Sequence, residues 1–453
     1  MANVSLPLTS GPIWRPLLAL SGPNIVGTSI QSAISITEAW FLGGLGHLAL
    51  AGVALVFPIY MLANMLSAGA IGGAVAGAAA RARGAGDDDR ASSVLRVALV
   101  IAIFGSLTMT AIMLVLGPMI FRALGGQGVV LALALEYSET LFSGILLMWL
   151  FNMAASVLRG SGDTVRPARA MILIAVSHIL LSFILVRGAG PIPGFGMQGA
   201  AVALVVSYGL GAGVLLAHLF GVRSPVAPRL RLGVDWAVMF PILRSGLLAG
   251  SQSFLTVLTA LLVTAIVGRL GAAALAGYGV GVRLELMMVP VIFGFGGAMI
   301  AMAGANVGAG NRARAIAIAW RGSGLAGVVV GGIGILFALF PDLWSGLFTT
   351  NSGVMESCRN YLRVVGPFYV FFGVGLAVYF ASQGLNTLFW PVMGTVVRLI
   401  VVCVVVGGVA FWGQPTETSV FWAVAIGMVS YGVFNCVMLR FGPWRPQVQS
   451  IPG

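Results

Sequence analysis

The chain has 453 residues, of which 59% are apolar and only 8% charged, with a mean hydropathy of +1.03. A soluble protein carries about 25% charged residues, so this composition excludes a soluble enzyme, a secreted disulfide scaffold and a disordered chain, and leaves a polytopic membrane protein. The 24 basic residues, all arginine, outweigh 12 acids for a net charge of +12; inside a bilayer that excess reports orientation rather than nucleic-acid binding.

Crossing a ~30 Å hydrocarbon core takes about 20 apolar residues. Runs of that length are predicted at 16–42, 47–80, 93–121, 132–157, 168–187, 197–220, 238–268, 272–306, 314–341, 357–382, 390–412 and 418–440, which makes twelve helices. The fold class expected is an all-α polytopic membrane protein. Period-two alternation, the mark of a strand barrel, is absent. The first run has no cleavage site behind it and reads as a mature span. Cys358, Cys403 and Cys436 lack metal or redox spacing and read as structural thiols. With the N-terminus inside, seventeen arginines fall in cytoplasmic loops or at helix ends, and three (Arg122, Arg187, Arg269) fall outside. That bias predicts both termini in the cytoplasm of a bacterial inner-membrane protein.

In helix 1, Asn24, Thr28, Gln31, Ser35 and Glu38 are spaced 4, 3, 4 and 3 apart, on one helical face. A polar stripe ending in a carboxylate is costly against lipid, so it is expected to line a cleft; interhelical packing is the plainer alternative. Pro23 removes a hydrogen-bond donor near the start of this helix. Glu38 lies about 6 Å inside the helix end. Removal from water disfavours the charged form of a carboxyl group, which suits a proton-exchanging site. Tyr60, Asn64, Asn152 and Tyr208 add aromatic and amide groups suited to flat cationic ligands. Glu136 and Glu139 read as helix-start charges in water. Asp87, Asp88, Asp89 and Asp163 sit beside arginines in loops. Glu285 and Arg398 fall within about 5 Å of one depth; they read as a structural ion pair or a second site.

The chain repeats itself. FLGGLGHLALAGVAL (41–55) answers IVGRLGAAALAGYGV (266–280) at an offset of 225, and RGAGDDDRA (83–91) answers VGAGNRARA (307–315) at 224. Two six-helix lobes are expected, residues 1–220 and 238–453, joined by a 221–237 connector. Such duplication is typical of secondary transporters.

EAWFLGGLG (38–46), LRGSGDTVRP (158–167), PIPGFGMQGAAVAL (191–204), GYGVGVRLE (277–285), GANVGAG (304–310) and YFASQG (379–384) together resemble the multidrug and toxic compound extrusion (MATE) family. The likeness spans residues 15–440 and is greatest to its bacterial DinF-type branch. It implies export of lipophilic, usually cationic compounds against protons or sodium, with Glu38 as the coupling acid where that branch more often has Asp. It also implies an Asn and an Asp four apart on helix 5; counting back from Pro191 places His178 and Ser182 there. The second acid is thus missing, and protons are favoured over sodium. An unperturbed histidine changes charge near neutral pH, so His178 is expected either to relay protons to Glu38 or tune it, or to be structural.

The expected activity is therefore proton-coupled multidrug antiport, by a chain that works as a monomer among membrane lipids, without metal, cofactor or nucleic acid. Sodium-coupled antiport and lipid-intermediate flipping are the alternatives. An intramembrane enzyme would need clustered catalytic groups, and no such motif lies in the spans.

Overall fold

The structure, a computed structural model, describes residues 8–189, 192–221, 235–412 and 415–442. Long helices account for most of them. In chain order they are α1 (Trp14–Gly43), α2 (His47–Gly84), α3 (Asp88–Ala123), α4 (Gly128–Ser143 with Ile145–Gly160), α5 (Val165–Arg187), α6 (Gly196–Phe220), α7 (Trp236–Gly268), α8 (Ala272–Gly308), α9 (Arg312–Leu339), α10 (Ser352–Leu385), α11 (Phe389–Trp412) and α12 (Glu417–Phe441). A two-residue ribbon, β1 (Gly188–Ala189) with β2 (Ile192–Pro193), follows α5. Most of the 221–237 connector lies outside the described residues.

Ten of these helices are apolar and long enough to cross a membrane, and the bent α4 makes eleven. The remaining one is α1, whose 30 residues provide ample length. Its polar stripe dilutes the apolar run, and inward burial of that stripe is what makes a spanning α1 affordable. Each of the twelve segments expected to span is helical.

Several helices depart from straight geometry. α4, expected as one span over 132–157, starts at Gly128 and bends by 48° at Gly144. A Cβ on Gly144 would lie 2.3 Å from Cγ1 of Val205, so α6 presses into the gap its absence leaves. Because α4 starts earlier than expected, Glu136 and Glu139 are not helix-start charges. They lie in its third and fourth turns, half-buried and exposed respectively. α2 contains a π-helical segment, Met65–Ile71, and α10 a 3-10 turn at Gly366–Phe368, where Pro367 interrupts the hydrogen-bond ladder.

The chain forms two compact units, Gly22–Gly246 on one hand and Met1–Ser21 with Leu247–Gly453 on the other. The division differs from the 1–220 and 238–453 read from the sequence. The first two turns of α1 pack with the C-terminal helices, and the start of α7 with the N-terminal ones. Val238, Met239 and Ile242 of α7 are buried in the N-terminal core. In the N-terminal unit α4 packs against α2, α3 and α6; in the C-terminal unit α10 packs against α8, α9 and α12.

The repeat is visible in the packing. Gly160 meets α2 so closely that a Cβ would lie 2.2 Å from the Ala76 carbonyl oxygen; Gly384 meets α8 with the corresponding distance 2.7 Å from Ile300. The offsets agree (384 − 160 and 300 − 76, both 224). Gly162 (φ 86) and Asn386 (φ 59) take the same left-handed turn. Asp87 and Asn311 cap equivalent helices, each accepting from the backbone N–H three residues on. A duplicated six-helix unit is the physical basis of the two lobes.

Candidate functional site

The polar stripe of α1 points into the N-terminal unit. Asn24 and Glu38 are buried, Thr28, Gln31 and Ser35 are half-buried, and the opposite face exposes Ile36 (72%) and Trp40 (63%). Thr28 turns its hydroxyl back to the carbonyls of Asn24 (3.0 Å) and Ile25 (3.1 Å), satisfying itself within the helix. The C-terminal end of α1 is fixed by Arg187 of α5, whose guanidinium lies 5.4 Å from the centre of the Trp40 ring.

Glu38, only 5% exposed, accepts a hydrogen bond from the Tyr137 hydroxyl of α4. Among the described residues no basic side chain pairs with it. Tyr60 of α2 and Tyr208 of α6 stand nearby, their hydroxyls 3.5 Å apart. Tyr208 also interacts with Gln31 and packs edge-on against Phe151, ring centres 5.7 Å apart. Behind these two phenols lies a small void closed by apolar side chains of α4 and α6, among them Leu141, Met148 and Leu204. The result is one carboxylate in a setting of three phenols and an amide, faced on one side by an apolar pocket.

Tyr137 was not singled out in the sequence. Its signal was the buried face Ala134, Tyr137, Ser138 and Leu141, spaced 3, 1 and 3, which turns α4 inward. The neighbouring Glu136 and Glu139 point elsewhere.

The other candidates form separate groups. Asn152 of α4 donates through Nδ2 to Asn64 (3.2 Å) and Ser67 (2.9 Å), across the π-helical segment of α2. On α5, His178 and Ser182 are fully buried, and the Ser182 hydroxyl meets His178 Nδ1 at 3.4 Å. The other ring nitrogen, Nε2, has no hydrogen-bond partner among the described residues. No direct hydrogen bond joins His178 to Glu38 among the described residues.

In the C-terminal unit Arg398 and Glu285 face each other, Nη2 to Oε1 3.6 Å, and the Tyr361 hydroxyl donates to Glu285 Oε2 at 3.3 Å. The depth match read from the sequence therefore corresponds to an ion pair. At the helix ends, Arg83 pairs with Asp88 at 3.3 Å and Arg166 with Asp163, the pairing the sequence suggested; Asp88 and Asp89, expected in a loop, form the first turn of α3.

Comparison with known proteins gives this architecture a family. The MatE family model matches residues 23–184 and again 249–408, more than half the chain, the two matches starting 226 residues apart (249 − 23). A probable multidrug resistance protein NorM of Thermotoga maritima is 25% identical over 387 residues, 85% of this chain and 83% of that protein. A probable multidrug resistance protein YoeA of Bacillus subtilis is 25% identical over 404 residues, covering 88% and 86%. An FAD transporter of Shewanella oneidensis is 27% identical over 277 residues; that match spans 60% of either chain, less than two thirds of the relative's length. Among solved structures, a MATE protein in a bent conformation aligns over 96% of this chain and 96% of its own with a TM-score of 0.88 at 24% identity. A MOP superfamily transporter from Pyrococcus furiosus aligns over 97% and 98% with a TM-score of 0.85 at 23% identity. These structures carry the fold; the duplicated family match carries the rest: the chain belongs to the MatE family and is a multi-pass membrane transporter, not an enzyme.

Proposed function

We propose that this transporter exports lipophilic, usually cationic compounds in exchange for protons, and that Glu38 is the group for which proton and cargo compete. The observation that carries the reading is the setting of Glu38: buried, hydrogen-bonded by Tyr137 and without a basic partner among the described residues. A charged carboxylate so placed is costly unless it is compensated. It is relieved either by a proton or by a cation, and those two occupants exclude each other. The phenols of Tyr60 and Tyr208 offer cation–π and hydrogen-bonding surfaces to the cargo. Two relatives named as probable multidrug resistance proteins support the substrate class.

Protonation from outside neutralises Glu38, weakens its hold on a cation and favours a repacking of α1, in which Pro23 already lacks one backbone bond. Alternating access then needs only that the two states differ in their affinity for proton and cargo. The remaining stripe residues Asn24, Thr28, Gln31 and Ser35, with Asn64, Asn152 and Ser182, line or support the path. Glu38 carries the proton without His178. Sodium is the less favoured coupling ion, since hard cations collect several oxygen ligands and Tyr137 already occupies one carboxylate oxygen. The arginine distribution supports an inner-membrane placement with both termini cytoplasmic.

The test is export of a fluorescent lipophilic cation from proteoliposomes under an imposed proton gradient or an imposed sodium gradient. The proton gradient alone should drive it, and Glu38→Gln should abolish the response. Equal drive by sodium alone would replace the proton reading.

A further inference from the structure

The C-terminal unit holds a second, half-buried carboxylate, Glu285, in a different setting. Gly281 lies one turn before Glu285 on α8, and a Cβ there would sit 2.3 Å from Cδ1 of the Tyr361 ring. Its absence lets that ring lie against α8 and brings the hydroxyl to Glu285 Oε2. The other oxygen, Oε1, faces Arg398. Both oxygens of Glu285 are thus engaged.

Arg398 is engaged far less. A guanidinium carries five N–H donors in a fixed fork and holds a carboxylate best through two parallel bonds. Here a single long contact of 3.6 Å from Nη2 to Glu285 takes the place of the two parallel bonds the fork could make. The Nε atom is shielded from solvent and has no acceptor among the described residues. The residue is 7% exposed, and the guanidinium lies over the Phe372 ring, 5.6 Å from its centre. Leaving a buried donor of a charged group unmade is costly. An ion pair that served only to hold α8 and α11 together would use the whole fork; here each oxygen of the acid has a neighbour, while the buried Nε of the base has no acceptor among the described residues. If Glu285 gives up Arg398 it still keeps Tyr361, so the exchange does not strip it bare. The unused capacity is that of a donor, which selects an anion over a cation, and the aromatic floor selects a flat one.

We propose that Arg398, with Phe372 against its face and Glu285 as a displaceable internal acid, receives the carboxylate of an aromatic compound. The site lies within the C-terminal unit and does not rest on the reading of Glu38.

Purified full-length protein in detergent is titrated with benzoate and with its neutral isostere benzamide, following binding by the shift in melting temperature. Benzoate should bind about tenfold more tightly than benzamide, as expected for a charge-assisted pair of hydrogen bonds. Glu285→Gln, which releases Arg398, should tighten benzoate by about threefold or more, and Arg398→Met should erase its advantage over benzamide. Should Glu285→Gln fail to fold, Tyr361→Phe takes its place: Glu285 then depends wholly on Arg398, and benzoate binding should weaken. Equal binding of benzoate and benzamide by the wild type overturns the proposal. So does a benzoate preference that survives Arg398→Met, or single substitutions that lower the melting temperature without changing the ratio. The readout is equilibrium binding with no ion gradient, so its failure leaves the Glu38 mechanism untouched.

Discussion

Tyr137 and Tyr361 hold the same place in the two repeats, 224 residues apart (361 − 137), and each donates its hydroxyl to a carboxylate, buried Glu38 in one and half-buried Glu285 in the other. The acids come from different helices. Glu38 lies on α1, whereas Glu285 lies on α8, at the place that Tyr60 holds on α2 (285 − 60 = 225). One acid has a built-in counter-charge in Arg398, and the other has none among the described residues. The duplicated unit has kept its phenol and separated the roles of its acids.

Tyr137→Phe removes the hydrogen bond to Glu38 and leaves the ring in place. A hydrogen bond to a charged group contributes about 1.5–3 kcal/mol, so proton-driven export should fall by about tenfold while the melting temperature moves little. Initial export rates from proteoliposomes measure this. A wild-type rate would remove Tyr137 from the mechanism.

Gly160→Ala and Gly384→Ala should each destabilise the protein by about 1–3 kcal/mol, because the added Cβ meets a helix backbone that cannot turn aside. Gly213, with nothing within 4 Å of its Cβ position, is the control. Gly213→Ala should leave stability level or slightly higher, given the better helix propensity of alanine. Melting in detergent separates the three.

His178→Leu should leave proton-driven export within about threefold of wild type. The substitution removes an unpartnered ring nitrogen and leaves the buried Ser182 hydroxyl without its bond, a cost of about 1–3 kcal/mol that falls on stability and not on proton transfer. Loss of proton drive in this variant that His178→Leu with Ser182→Ala does not relieve would place His178 on the proton path.

The segment before α1 is pinned within the C-terminal unit. Asn306 donates to the Leu8 carbonyl at 2.9 Å, and Arg314 to the carbonyls of Ser10 and Gly11 at 3.0 and 2.8 Å. Asn306→Leu should speed cleavage of residues 8–13 by an added protease by about tenfold or more, since local opening follows the loss of the bonds that close it. Unchanged cleavage would mean that Arg314 alone holds the segment.

Glu38 was legible because it ends a stripe with helical spacing, a pattern one helix carries by itself. The repeat was legible for the same reason: its glycine and charge punctuation survives in linear order. Tyr137 was not, because a single phenol beside two glutamates gives no sign of which acid, on another helix, it will meet. The bend of α4 was equally hidden, since Gly144 is one of 64 glycines and only the press of Val205 gives it meaning. The ion pair of Glu285 and Arg398 lay between these cases: matched depth placed the two charges level, but the choice between a closed pair and an open receptor turned on one unpartnered nitrogen.

The central claim is that a proton and a cationic cargo exclude each other at Glu38. Its most direct test is proton release from purified protein in weakly buffered detergent solution when a lipophilic cation is added. The wild type should release protons in step with cation binding, and Glu38→Gln should bind without releasing any. Equal release from both proteins would contradict the account and place the exchanged proton on another group.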